Sequence, residues 1–205
     1  MRMSDRGLLL VLSGPSGAGK GTAVRRLLEL CDNIVLSISA TTRPPREGEG
    51  PGHYDFLPQD EFLRRIEAGR MLEHAVYNGQ YYGTPAAWVD EQLAAGRHVL
   101  LEIEMQGALQ IRQRRPEAIL MFMAPPSMQA LEQRLRGRGT ETEQQIQARL
   151  AIARGELAGA AQYDYILVNR TVEGAAEQMC AILTAERHRA SAMEPFLQAL
   201  QQERN

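Results

Sequence analysis

The sequence predicts an α/β fold, with a parallel sheet core flanked by helices and a small mixed insertion. Three observations carry that expectation. Strand-like and helix-like segments alternate through most of the 205 residues, which is the signature of βαβ units. Residues 8–12 form an unbroken apolar run, as expected of a strand covered on both faces of a parallel sheet. Between Tyr54 and Tyr82 the rhythm changes to short strands around one helix, which predicts a second, smaller sheet.

In chain order, the apolar run at 8–12 leads through a glycine-rich stretch at 14–21 into a helical pattern at 22–30, and 34–38 reads as a short strand. Residues 41–52, rich in Pro, Gly and charge, read as a loop. Short strands follow at 54–56, 71–77 and 80–82, with a helix at 59–68. A helix at 85–95 opens on Pro85, which suits a first turn, and places Trp88 on its apolar face. Residues 98–103 read as a buried strand, 108–115 as a helix and 119–123 as a strand closed by Pro125 and Pro126. Ser127 is placed to cap the helix that runs to Arg136, and residues 137–142 break it. A long helix then presents Ile146, Leu150, Ala153 and Leu157 on one face. A last strand at 165–168 and a last long helix at 172–189 complete the pattern, and residues 194–205 read as a polar, fraying end.

Composition narrows the function. A hydrophobic content of 44% and a net charge of −2 describe an ordinary globular chain and give no sign of a nucleic-acid binder. The apolar stretch after residues 1–7 is too short for a signal peptide core or a membrane span. Cys31 and Cys180 are the only cysteines and form no CxxC motif, which points to a reducing compartment, with cytoplasm as the default. His53, His74, His98 and His188 lack metal-ligand spacing and read as turn, interface or surface residues. Arg112, Arg114 and Arg115 read as solvated helix-end charge.

The glycine-rich stretch carries chemistry. Gly14-Pro15-Ser16-Gly17-Ala18-Gly19-Lys20 joins a buried strand to a helix, the setting of a phosphate-binding loop, or P-loop. Glycines let successive N–H groups turn inward, the helix N-terminus adds donors, and lysine supplies a mobile point charge. Of 23 basic residues all but one are arginine, and the single lysine is Lys20. Gly21 and Thr22 stand where the pattern asks for Ser or Thr directly after the lysine, so the hydroxyl for Mg²⁺ is displaced by one position.

Farther on, Ser39-Ala40-Thr41-Thr42-Arg43-Pro44-Pro45-Arg46 sets two guanidinium forks three residues apart in a proline-held loop, a spacing that suits a phosphate monoester. Alone, such a pair is also ordinary solvated surface. It is followed by Gly52-His53-Tyr54-Asp55-Phe56, Leu72-Glu73-His74, Gly79-Gln80-Tyr81-Tyr82-Gly83-Thr84, Ile103-Glu104-Met105-Gln106-Gly107 and Arg134-Leu135-Arg136-Gly137-Arg138-Gly139-Thr140. In order and spacing these blocks resemble guanylate kinases, over nearly the whole chain.

The resemblance implies a core at about 1–38, 85–134 and 163–192, a GMP-binding insertion at about 39–84, a helical lid at about 135–162 and an extension at about 193–205. It implies ATP held by Gly14, Pro15, Ser16, Gly17, Ala18, Gly19, Lys20, Gly21 and Thr22, with Arg134, Arg138 and Asn169. It implies GMP held by Ser39, Arg43, Arg46, Tyr54, Glu73, Tyr82, Thr84 and Glu104, with Glu73, Thr84 and Ser39 reading the guanine edge. Lys20, Arg43, Arg134, Arg138 and Arg149 would serve catalysis, and Mg²⁺ would sit on the ATP phosphates near Thr22, Glu102 and Glu104. The expected partners are ATP and GMP, without nucleic acid or membrane, and self-association through the polar extension is a further expectation. Glu104 stands where the family usually has Asp, Ala40 where Ser is frequent, and Arg170 where an acid is common. Two rivals remain at this stage: a related kinase with another phosphorylated acceptor, and a catalytically silent binding module of the same family.

Overall fold

The computed structural model describes residues 6–50, 52–77, 79–137, 139 and 141–202. A five-stranded parallel sheet is formed by β1 (Leu9–Ser13), β2 (Ile34–Leu36), β7 (His98–Glu102), β8 (Ile119–Ala124) and β9 (Tyr165–Val168), in the order β2-β7-β1-β8-β9. Its two faces explain the unbroken apolar runs. Leu10, Leu12, Leu100, Met121 and Met123 pack with α1 (Lys20–Leu30) and α7 (Val172–Arg187), through Val24, Leu27, Ala176 and Met179. Leu9, Val11, Val99, Leu101, Leu120 and Phe122 pack on the other side with α3 (Ala86–Ala94) and α4 (Met105–Arg114), through Val89, Leu93, Ala108 and Ile111. Successive strand residues therefore serve opposite layers, which is why consecutive positions are apolar along most of each strand.

The second sheet is mixed, in the order β4-β3-β6-β5, from β3 (Ala40–Thr41), β4 (Asp55–Phe56), β5 (Met71–Tyr77) and β6 (Gln80–Pro85). Its own core is small: Ala40, Phe62 and Met71, with Phe62 supplied by α2 (Gln59–Glu67). A third cluster joins Leu131 and Leu135 of α5 (Met128–Arg136) to Ile146, Leu150 and Ala153 of α6 (Glu143–Gly159). Ser127 caps α5 as expected, its Oγ accepting the Ala130 N–H at 3.0 Å. Thr142 and Gln145 form a capping box that fixes the start of α6. Arg136 reaches from α5 to Glu143, and Glu132 shares its guanidinium. Among the described residues no helix is long and apolar enough to cross a membrane.

Several expectations are corrected. Residues 40–41 belong to a strand, α4 begins at Met105, and residues 194–202 form a helix, α8 (Glu194–Gln202), in place of a fraying end. Trp88 is half-buried against the core. The three arginines expected in solvent are structural ties. Arg112 pairs with Asp164 at 2.6 Å, Arg115 with Asp90 at 2.7 Å, and Arg114 Nη1 donates to the Met71 and Leu72 carbonyls at 2.9 Å each. Together with Gln110, which bonds both backbone groups of His74, Arg114 staples the second sheet to α4.

His98 is buried as well. Its Nδ1 accepts the Leu8 N–H at 3.0 Å, and burial, with Arg187 nearby, pushes its pKa down to about 4. Unfolding releases this ring to an ordinary pKa near 6.5, so between about pH 6.5 and 4 the unfolded chain binds the extra proton. Stability attributable to His98 is full above that window and falls by up to about 1.4 kcal/mol per pH unit on descending through it. His98→Asn keeps an acceptor without the titration. Urea midpoints measured from pH 7 to 4.5 should fall less steeply for His98→Asn than for the native chain, and equal slopes would remove His98 from the account.

Candidate active site

The site lies where the strands of the parallel sheet end. Between β1 and α1 the chain turns on Gly14, Gly17 and Gly19, with φ of 146°, 91° and 91°. Space matters as much as φ: a Cβ at Gly14 would stand 2.2 Å from the Met123 carbonyl, and one at Gly19 2.5 Å from Asn169 Nδ2. Lys20 opens α1 and donates to the Gly14 and Pro15 carbonyls, which keeps its ammonium over the loop.

Three distant segments clamp that loop at one carbonyl and one hydroxyl. Asn169 Nδ2 and Arg134 Nη1 both donate to the Ala18 carbonyl, at 2.7 and 3.1 Å. Arg134 Nη2 also donates to the Asn169 carbonyl at 2.9 Å. Arg149, on α6, donates to Ser16 Oγ at 3.1 Å and pairs with Glu141 at 2.9 Å. Arg134, Arg149 and Asn169 thus stand beside the P-loop. Arg138 lies outside the described residues.

A cavity of about 430 Å³ runs from this loop to the second sheet, lined at one end by Ser16, Lys20, Glu102 and Glu104 and at the other by Ser39, Tyr54, Glu73 and Tyr82. Glu73 is 3% exposed, its Oε1 accepts the Thr84 hydroxyl at 2.7 Å, and burial pushes its pKa up to about 7 against the opposing Thr84 hydrogen bonds. Thr84 is wholly buried and stands outside the cavity lining, so it supports Glu73. Glu102 is also pushed up by burial, with Lys20 opposing. Thr22 is exposed on the first turn of α1 and does not line the cavity.

Arg43 and Arg46 are not in the lining either. Arg43 is engaged bidentately by Glu49, at 2.8 and 3.1 Å, and lies over the rings of Tyr54 and Phe56. Arg46 gives its backbone N–H to the same Glu49 while its side chain is exposed. Both arginines lie on the loop between β3 and β4, and Arg43, over Tyr54, borders that end of the cavity.

Comparison with known proteins decides the family. Residues 6–186 match the family model described as guanylate kinase. The chain belongs to the guanylate kinase family. It is 49% identical over 186 residues to a guanylate kinase of Desulfitobacterium hafniense, covering 90% of this chain and 93% of the relative. A guanylate kinase of Shouchella clausii is 48% identical over 183 residues, 89% of each chain. The crystal structure of guanylate kinase from Anaplasma phagocytophilum aligns with a TM-score of 0.75 at 35% identity, over 94% of this chain and 92% of that one.

Some residues of this guanylate kinase site were not singled out from the sequence. Glu156 of α6, two helical turns after Arg149 and so on the same face, lies against Glu104; burial and that carboxylate push its own carboxyl up. Ser13 Oγ, Tyr163 Oη and Glu156 Oε2 are buried without a partner. Gly107 sits in α4 where a Cβ would be 2.4 Å from Glu73 Oε2, so glycine there makes room for the carboxylate. Gly107 fell just before the helix expected at 108–115, where a glycine reads as a boundary.

Gly19→Ala tests the clamp. The new methyl collides with Asn169 Nδ2 and must occupy a φ that L-residues avoid, so the Ala18 contacts should be lost. Affinity for a fluorescent nucleoside triphosphate should fall by roughly 10²-fold, the effect of about 2–3 kcal/mol from strain and lost hydrogen bonds, while circular dichroism stays native. Unchanged affinity would show that the clamp does not shape the triphosphate site.

Proposed function

We propose that this chain transfers the γ-phosphoryl group of ATP to GMP, giving ADP and GDP. The observation that carries the proposal is one cavity with Lys20 of a P-loop at one end and the buried carboxylate Glu73 at the other. Guanine presents N1–H and a 2-amino group side by side, and an ionised carboxylate accepts from both. Adenine lacks that donor pair. Ser39 lines the same end of the cavity, and Thr84 fixes Glu73 from behind.

Phosphoryl transfer asks the protein for position and charge more than for covalent help. The P-loop amides and Lys20 hold the donor phosphates, and Arg134 and Arg149 stand at the loop ready to meet charge on the transferring group. Asn169 flanks the loop where the nucleoside of ATP would leave it. The bidentate Glu49 on Arg43 occupies the geometry that a phosphate monoester would take. Exchange of Glu49 for the GMP phosphate, with Arg46, Tyr54 and Tyr82 closing around it, converts the open insertion into a closed acceptor site. Lid movement from the α5–α6 pair belongs to the same reading. A silent scaffold would have lost these loop and lid cations.

Mg²⁺ fits the residues present. Glu104 and Glu156 are two carboxylates in contact beside Lys20, a hard oxygen environment with negative charge to spare. Glu102 and Glu104, which line the cavity beside Lys20, would hold the ion through water. When bound, it neutralises phosphate charge.

Two measurements test the reading. Because Glu73 titrates near 7 in the free protein and only its ionised form accepts from both guanine donors, kcat/KM for GMP should rise with pH through about 7. The same quantity for ATP should stay flat there, and parallel profiles would mean that Glu73 does not receive the base. The second compares GMP with IMP, which lacks the 2-amino group. Glu73→Gln leaves one guanine donor facing another donor, an unpaired buried group costing about 1–3 kcal/mol and more with charge, so kcat/KM for GMP should fall by roughly 10²-fold. IMP should lose less, and a GMP/IMP ratio that does not shrink would assign base reading to another residue.

A further inference from the structure

The two cysteines, 149 residues apart in sequence, meet in the fold: Cys31 Sγ lies 2.9 Å from Cys180 Sγ. Cys31 is the C-cap of α1, tied by its N–H to the Leu27 carbonyl, and Cys180 projects from the middle of α7, which packs along α1. Both are half-buried at the margin of the cluster that fills this face of the sheet. Neither touches the cavity or the P-loop clamp. Two thiols hydrogen-bonded at this separation need to approach by less than about 1 Å to reach the bond length of a disulfide, about 2.05 Å. The packing of α1 on α7 already holds them facing each other.

We propose that Cys31 and Cys180 form an oxidisable pair that takes up a small-molecule disulfide by thiol–disulfide exchange and closes into a cross-link between α1 and α7. The steps balance. The Cys31 thiol loses its proton to solvent, its sulfur attacks one sulfur of the small disulfide, and the S–S bond of that reagent breaks to release one thiol. Cys180 then loses its proton and attacks the Cys31 sulfur of the mixed disulfide, releasing the second thiol. The protein dithiol is oxidised by two electrons and the reagent is reduced by two. Burial, with Cys31 beside it, pushes the Cys180 thiol up to about 12, so Cys31 is the entering sulfur and Cys180 the resolving one.

The position of the pair sets its effect. α1 and α7 both start at the nucleotide end of the sheet, at Lys20 and just after Asn169. Cys31 lies beyond the far end of an 11-residue helix, about 16 Å from Lys20 along its axis. A staple there closes a loop spanning most of the chain, which restricts the unfolded state strongly while leaving the P-loop untouched. Oxidation hardens the fold and leaves catalysis intact.

The native chain should be incubated with excess oxidised glutathione. Both titratable thiols should disappear, the intact mass should fall by two hydrogens, and a non-reducing peptide map should join the Cys31 and Cys180 peptides. The Tm should rise by about 5 °C or more and return on adding dithiothreitol, with kcat for GMP held throughout. Cys31→Ser and, separately, Cys180→Ala should show no such rise. Stable glutathione adducts on both cysteines, disulfide-linked dimers, a cross-link with unchanged Tm, or loss of activity on cross-linking would each overturn the proposal. Because the thiol count, the map and the Tm are read without substrate, they stand or fall independently of the GMP reading.

Discussion

The Ala18 carbonyl is where the nucleotide end of the structure is held together. Five of the seven residues from Gly14 to Lys20 are glycine, alanine or serine, and such a stretch has little of its own to keep it in shape. The loop is fixed from outside. Asn169, at the end of β9, and Arg134, on α5, converge on Ala18 O, and Arg134 closes the triangle on Asn169 O. Gly17 fits because Leu131 and Leu135 of α5 pack directly over it. The helix pair α5–α6 is therefore connected to the loop by apolar contact as well as by hydrogen bonds, and a shift of that pair reaches the loop at once.

From that clamp the rest of the site follows in layers. The parallel sheet sets β1, β7, β8 and β9 side by side, so the loop, Glu102 with Glu104, and Asn169 arrive at one edge from three separate stretches of chain. The second sheet is held across the cavity by α4, through Gln110 and Arg114, and by the close seat that Gly107 leaves for Glu73. One helix thus positions the acceptor side while another, α1, positions the donor side.

The alternation of elements was legible because each strand and helix carries its own local pattern, and the P-loop because its residues are consecutive. Arg114 and Arg115 were misread for the opposite reason. At the end of a helix they look solvated, and their partners, Met71, Leu72 and Asp90, lie 25 to 43 positions away. His98 looked like surface because a lone histidine in an apolar strand gives no hint of the Leu8 amide it accepts from. Residues 194–202 read as a polar end because Glu194, Gln198, Gln201 and Gln202 interrupt the few apolar residues, and in the structure α8 leaves Leu197 and Leu200 exposed. Lys20, Arg134, Arg149 and Asn169 come together at the loop, and no local pattern could have gathered them. Glu156 and Tyr163 remained invisible, since their interest arises only from what they face after folding.

The burial of Glu73 has a consequence for the protein as a whole. An acid whose pKa rises from about 4.5 in the unfolded chain to about 7 in the folded one works against folding at neutral and alkaline pH, because the unfolded chain gives up the proton more readily. The contribution it makes below pH 4.5 is lost as pH rises through 7, and the deficit approaches about 3 kcal/mol, a sizeable share of the 5–15 kcal/mol that holds a typical domain together. The small three-residue core of the second sheet is the part that must absorb it. The buried carboxylate is thus also a built-in weakness, and under the proposed function a guanine in the cavity would relieve it by supplying donors.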